Sequence, residues 1–102
     1  MVKRVSGVAD WVGSVGLGIL GDSEVFEAPA LAALALDLPR DAYRVLPNLS
    51  GPGETPSDLD SWIASAKPAL GIVHADPRCA GVAEILGDLA ETSGAFLIGG
   101  LS

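Results

Sequence analysis

The stretch from Ala69 to Gly100 constrains this chain most. Leu70, Ile72 and Val73 form an apolar run that leads into polar residues at His74 and Asp76, the composition of a strand followed by a turn. In Asp76-Pro77 the carboxylate can accept a hydrogen bond from an otherwise unpaired amide of a first helical turn, and proline needs no donor there. The sequence therefore predicts a helix starting at this pair. Val82, Ile85, Leu86 and Leu89 share one face of it, with Asp88 and Glu91 outside that set. Gly94 ends it, and Ala95 to Ile98 reads as a second strand before Gly99-Gly100. Strand, helix and strand joined by short turns predict a βαβ unit, parallel and right-handed.

The chain upstream is read from the same signals. Residues 55–66 predict a helix: Thr55 can cap, Pro56 takes the first helical position, and Asp58 at the third completes a capping-box pattern. Leu59, Trp62, Ile63 and Ala66 then recur at the spacing of one helical face, and Pro68 lies beyond the end. Residues 48–60 carry Gly51, Pro52, Gly53 and Pro56, so this part begins as an exposed loop. Tyr43 to Leu46 reads as a short strand ended by Pro47. The run from Val12 to Leu20 reads as a glycine-rich strand, Gly21-Asp22-Ser23 as a turn, and Val25-Phe26 as further extended chain. The run from Ala30 to Leu36, framed by Pro29 and Pro39, fits two structures. Its Ala and Leu content favours a helix, whereas a short uninterrupted apolar run also fits a buried strand.

With 102 residues, the chain has room for one small domain. Apolar residues make up 49% of it and aromatic residues only 5%, so Ala, Leu, Val and Gly must build any core, as layered α/β folds allow. A parallel sheet needs both faces covered, and two clear helices are few for this many strand candidates. The expected fold class is therefore α/β, a layered and mostly parallel sheet with the βαβ unit in its C-terminal half, and an incomplete domain.

The net charge of −7 excludes several partners. Six basic residues are scattered, only Lys3 and Arg4 being adjacent, so neither a nucleic-acid backbone nor an anionic membrane surface is an expected partner. The apolar runs are far shorter than the ~20 residues needed to span a bilayer. Lys3 and Arg4 resemble the start of a signal peptide, but Asp10 interrupts before an adequate apolar core. The single Cys79 excludes an internal disulfide and a cysteine metal cluster. A cytoplasmic setting follows as the expectation.

The candidate chemistry is sparse. Gly16-Leu-Gly-Ile-Leu-Gly21 spells the dinucleotide fingerprint, but the acids that follow and Pro29 leave no room for the required helix; a glycine-rich strand is the better reading. His74 and Asp76 sit at a strand end, where open α/β sheets bind ligands. The plainer alternative is that Asp76 only caps a helix and His74 is a partly exposed polar residue. Cys79, one helical turn on, can pair with His74, or can be a small packed thiol. No hydrolase elbow is present. Gly51 to Thr55 suits either a lid or a solvated turn, and Trp11 and Trp62 suit core or interface anchors.

Trp11-Val-Gly-Ser-Val-Gly-Leu-Gly18, Glu27-Ala-Pro-Ala-Leu31 and Ile98-Gly-Gly-Leu-Ser102 resemble the N-terminal part of FIST domains, sensory domains of bacterial signal-transduction proteins. Asp76-Pro77 and Gly99-Gly100 match the order of turns in that family. The resemblance covers most of residues 10–102 and identifies residues 1–102 as a single partial domain, similar to the central part of a FIST N-terminal domain. Family members carry further structure on both sides of this region. The resemblance implies that residues 30–36 form a strand. It also implies a non-enzymatic role in binding a small ligand, such as an amino acid or related metabolite, and passing on that signal; no catalytic or ligand-contacting set accompanies it.

The expected ligand-binding residues are His74, Asp76, Gly99 and Gly100, where helix and turn amides would hold an anionic group. No cofactor and no metal is expected. The expected partners are the small molecule and the remainder of the same domain or a companion chain, with an oligomer compatible. The alternatives are a small α/β enzyme using His74 or Cys79, and a structural subunit that completes a partner's sheet.

Overall fold

A computed structural model describes residues 2–16, 19–20, 25–26 and 29–101, and side chains for residues 3–16 and 29–101. The described elements are α1 (Val2–Ser6), β1 (Ile19–Leu20), β2 (Val25–Phe26), α2 (Leu59–Ala66), β3 (Leu70–Ala75), α3 (Val82–Ser93) and β4 (Phe96–Leu101). The chain is a mixed α/β structure. Its strands form two separate pairs, β1 with β2 antiparallel and β3 with β4 parallel.

The longest described elements, α2, β3, α3 and β4, lie in the C-terminal half. The helix α3 connects the parallel strands β3 and β4, whose register sets Leu70 opposite Phe96, Ile72 opposite Ile98 and His74 opposite Gly100. Along α3 the apolar stripe is turned inward: Ile85 is buried and Val82, Leu86 and Leu89 are half-buried, while Asp88 and Glu91 are exposed. Gly94 stops the helix in the left-handed region at φ 64°, its amide closing onto the Ala90 carbonyl, a conformation that is costly for residues with a Cβ. On α2, Leu59 is buried, and Trp62, Ile63 and Ala66 are half-buried. The helices α2 and α3 pack together, and the buried apolar residues Leu59, Ile85 and Ala95 mark the small core of the described residues.

Both helices start later than the capping residues predict. Helix α2 begins at Leu59 and not at Pro56, with Asp58 flanking it and making no side-chain cap. The Asp58 carboxylate is engaged by Arg44, whose Nη2 donates to Oδ1 at 2.7 Å. Helix α3 begins at Val82, flanked by Gly81, six residues past Asp76. Asp76 and Pro77 instead form a separate turn, in which the Cys79 amide donates to the Asp76 carbonyl.

The N-terminal half departs further from the sequence expectation. Of the predicted strand over 12–20, Ile19–Leu20 is a strand and Val12 to Gly16 carry no regular structure, while Leu17 and Gly18 lie outside the described residues. The turn expected at Gly21-Asp22-Ser23 lies outside the described residues, as do Leu17, Gly18 and Gly21 of the fingerprint motif. Residues 30–36 form neither the helix nor the strand, and all are exposed. A strand needs a neighbour to satisfy its amides and carbonyls, and none pairs with this run among the described strands. Tyr43 to Leu46 likewise forms no strand. Side chains hold that segment instead: Tyr43 donates its hydroxyl to Asp10 Oδ2 at 2.7 Å and Arg44 reaches Asp58. The helix α1 had no sequence signal in its favour. Trp11 is 41% exposed and its indole N–H donates to the Val8 carbonyl, so it is no core anchor.

The expectation of a mostly parallel sheet is met only by the β3–β4 pair. Among the described residues, no helix is long and apolar enough to cross a membrane.

Candidate functional site

The two parallel strands end side by side. Their last three register pairs are Val73 with Gly99, His74 with Gly100, and Ala75 with Leu101. In parallel neighbours, paired residues point to the same face and successive residues alternate. Val73, Ala75, Leu97, Gly99 and Leu101 therefore share the α3 side, and His74, Gly100, Ile72 and Ile98 share the other.

At the ends of these strands beside α3 lies an open cleft of about 260 Å³, lined by Leu86 and by Val73, Ala75, Leu97, Gly99 and Leu101 of the α3 side, together with Ile98 and Gly100 of the other. Among the described residues no charged side chain lines it, and its walls are mainly aliphatic. Two of the four sequence-predicted site residues, Gly99 and Gly100, belong to it. The backbone at Gly99 has φ 148° and runs so close to the Val73 carbonyl that a Cβ would collide with it, so the floor of the cleft at that point is bare peptide.

The other two predicted residues stand apart. His74 sits beside Gly100 in the register but does not line the cleft, and its side chain is exposed. Asp76 follows directly after β3, and its carboxylate is occupied. The backbone amide of Arg78 donates to Oδ1 at 2.9 Å, and the Arg78 guanidinium donates from Nε to Oδ1 at 3.0 Å and from Nη2 to Oδ2 at 2.8 Å. This two-point clasp, with the amide added, holds the Asp76 carboxyl below the usual carboxylate range because each donor favours the ionised form. Asp76 thus turns the chain, and its charge is compensated before any ligand arrives.

Cys79 is half-buried in the turn after Asp76, with its Sγ 3.6 Å from the Ala80 carbonyl oxygen, ahead of α3. No group of three or more metal-ligating side chains gathers among the described residues.

A second hollow, about 130 Å³, lies between the loop around Gly51 to Gly53 and α3, where Ile85, Asp88, Leu89 and Thr92 face it. Its loop is closed by Glu54, whose Oε2 accepts from the Ser50 amide at 2.8 Å and the Ser50 hydroxyl at 2.9 Å. Those two bonds, the amide first, hold the Glu54 carboxyl below its ordinary value.

The cleft residues that sequence reasoning missed are Val73, Ala75, Leu86, Leu97, Ile98 and Leu101. For Val73, Ala75, Leu97 and Leu101 the signal was the period-two alternation of the strands, and for Leu86 the apolar stripe of α3; both report a shared face without saying what stands over it. Compared with known proteins, the chain matches no family model, no curated protein and no solved structure.

Proposed function

We propose that this chain is a small-ligand-binding sensory segment of a bacterial intracellular signal-transduction protein, non-enzymatic, of the kind the FIST resemblance implies. The observation that carries the reading is the aliphatic cleft at the carboxyl ends of β3 and β4, floored by Gly99 and Gly100. Strand ends are where α/β sheets hold ligands, and concave apolar walls with exposed peptide groups suit a small molecule with an aliphatic body. An amino acid or related metabolite has such a body, and its polar end would meet the peptide groups at the cleft mouth. In this reading the strands belong to a layered, mostly parallel sheet in the cytoplasm. The free edges of β3 and β4 are where the remainder of the domain or a companion chain continues that sheet.

The test is amide-resolved NMR of the chain titrated with aliphatic amino acids and their keto-acid relatives. Saturable shifts at Val73, Ala75, Gly99 and Gly100, lost in Leu86→Trp, support the reading. An absence of saturable shifts there across the panel rejects it.

The reading as a structural subunit that completes a partner's sheet draws on one specific observation. Neither β3 nor β4 carries a charged residue or a proline, the usual guards of an open edge. It predicts stable capture by a partner strand with no small-molecule binding.

A further inference from the structure

The hollow between α3 and the loop around Gly51 to Gly53 shares no lining residue with the cleft at the strand ends. Its lining divides by chemistry. The buried Ile85, with Leu89, Leu49 and Pro52, is apolar, while Asp88, Thr55 and Thr92 are polar. Ile85, Asp88, Leu89 and Thr92 recur at the spacing of one helical stripe. The loop opposite is fixed from its own side. Ser50 donates twice to Glu54, and Gly53 holds φ 78°, where a residue with a Cβ would be strained.

The Asp88 carboxylate is uncompensated. Asp10, Asp58 and Asp76 each pair with an arginine, and Glu54 is bonded to Ser50. Among the described residues, no donor or cation meets the Asp88 side chain, and the hydroxyls of Thr55 and Thr92 are likewise without a hydrogen bond. We propose that this hollow binds a small protonated primary alkylamine, with its ammonium group on Asp88 and its alkyl body against Ile85 and Leu89.

Charge, donor count and size select this ligand class. Among the described residues no Lys, Arg or His lines the hollow, so an anionic ligand would meet only like charge at Asp88. A metal ion needs several oxygen ligands, and no group of three or more metal-ligating side chains gathers among the described residues. A primary ammonium is all donor and no acceptor, which suits the Asp88 carboxylate and the Thr55 and Thr92 hydroxyls as acceptors. The volume of about 130 Å³ is near the roughly 150 Å³ of an apolar cavity that takes benzene. The ligand therefore has on the order of six non-hydrogen atoms. The net charge of −7 draws a cation toward the chain. The site stands apart from the ligand reading above, whose cleft offers no charge.

Amide-resolved NMR of the full chain titrated with n-pentylamine at neutral pH tests it. The expected result is saturable shifts at Gly53, Asp88 and Thr92, with a dissociation constant on the order of 1 mM. The affinity should fall between about 20 mM and about 300 mM sodium chloride. Pentanoate should leave these amides unmoved, and 1-pentanol, which lacks the charge, should bind about tenfold more weakly. Asp88→Asn should cost about tenfold in affinity and Thr92→Val about threefold. Both positions are exposed, so the far-ultraviolet circular dichroism should stay unchanged. Glu91→Gln, on the same helix but outside the hollow, should bind as the parent does. An absence of saturable shifts at about ten times that concentration overturns the proposal. So do equal binding of 1-pentanol, an Asp88→Asn affinity equal to that of Glu91→Gln, and shifts confined to Val73 and Gly99, which would place the amine in the strand-end cleft.

Discussion

Gly99 and Val73 are register partners in the parallel pair, and the Val73 carbonyl occupies the space that a Cβ on residue 99 would need. The contact couples the sheet to the cleft. It brings the strands together at their ends and leaves bare peptide exposed between Leu97 and Leu101. Glycine at this position is a steric requirement of the pairing, since φ 148° with a blocked Cβ position suits no other residue.

Gly99→Ala is therefore expected to destabilise the chain by about 1–3 kcal/mol, read as a lower denaturation midpoint. Gly100→Ala, where a Cβ would meet nothing within 4 Å, should change the midpoint much less. Equal effects at the two positions would contradict the close approach.

Lys67 ends α2 in the left-handed region at φ 49°, its amide donating to the Ile63 carbonyl at 2.8 Å. Glycine adopts this conformation without the Cβ penalty. Lys67→Gly should raise stability by up to about 1 kcal/mol, as thermal or urea melts would show; a clear loss would mean that the left-handed terminus is wrong.

Leu59 is 4% exposed and Leu34 is 82% exposed. Leu59→Ala should cost about 2–4 kcal/mol, from lost burial and the cavity left between α2 and α3. Leu34→Ala should fall within about 0.5 kcal/mol of the parent. The same contrast predicts the pattern of limited proteolysis. A protease selective for aliphatic residues should cut first between Leu31 and Leu38, where the backbone is exposed and unpaired with any strand. A first cut within β3, α3 or β4 would reverse the assignment.

The carboxyls of Glu54, Asp58 and Asp76 are all held below their ordinary values, by Ser50, Arg44 and Arg78 in turn. A folded-state pKa below the unfolded one means that the unfolded chain binds more protons in that interval, so stability rises with pH there. The contribution is fully present above the unfolded carboxylate values near about 4 and is lost as pH falls through the lower folded values. All three groups lie at the surface, where solvent keeps such effects small. The sharper check is a carboxyl-carbon NMR titration: Arg78→Met should move the Asp76 midpoint up toward its ordinary value and leave Glu54 in place. An unmoved Asp76 midpoint would exclude the Arg78 clasp as the cause.

Local signals in the sequence determined the strand, helix and strand order after Ala69. Apolar periodicity assigned the inward faces of α2 and α3, and Gly94 set the end of α3, since spacing along one element and the conformational freedom of one residue need no distant partner. The helix starts were different. Asp58 and Asp76 have the side chains of caps, but Arg44, fourteen residues upstream, takes one carboxylate, and the Asp76 turn closes on Arg78 before α3 begins. Competition among acceptors and donors is settled in space. For the same reason the run over residues 30–36 could be read two ways and forms neither, because a strand exists only where another strand meets its backbone. The site divides along this line too. The sequence ends the last strand at Ile98, with Gly99-Gly100 as a turn beyond it, whereas β4 runs through both glycines to Leu101 because the pairing with Val73 and His74 continues. The separation of His74 from the cleft, and the aliphatic walls that Val73, Leu86 and Leu97 supply, arise only when β3, α3 and β4 are packed.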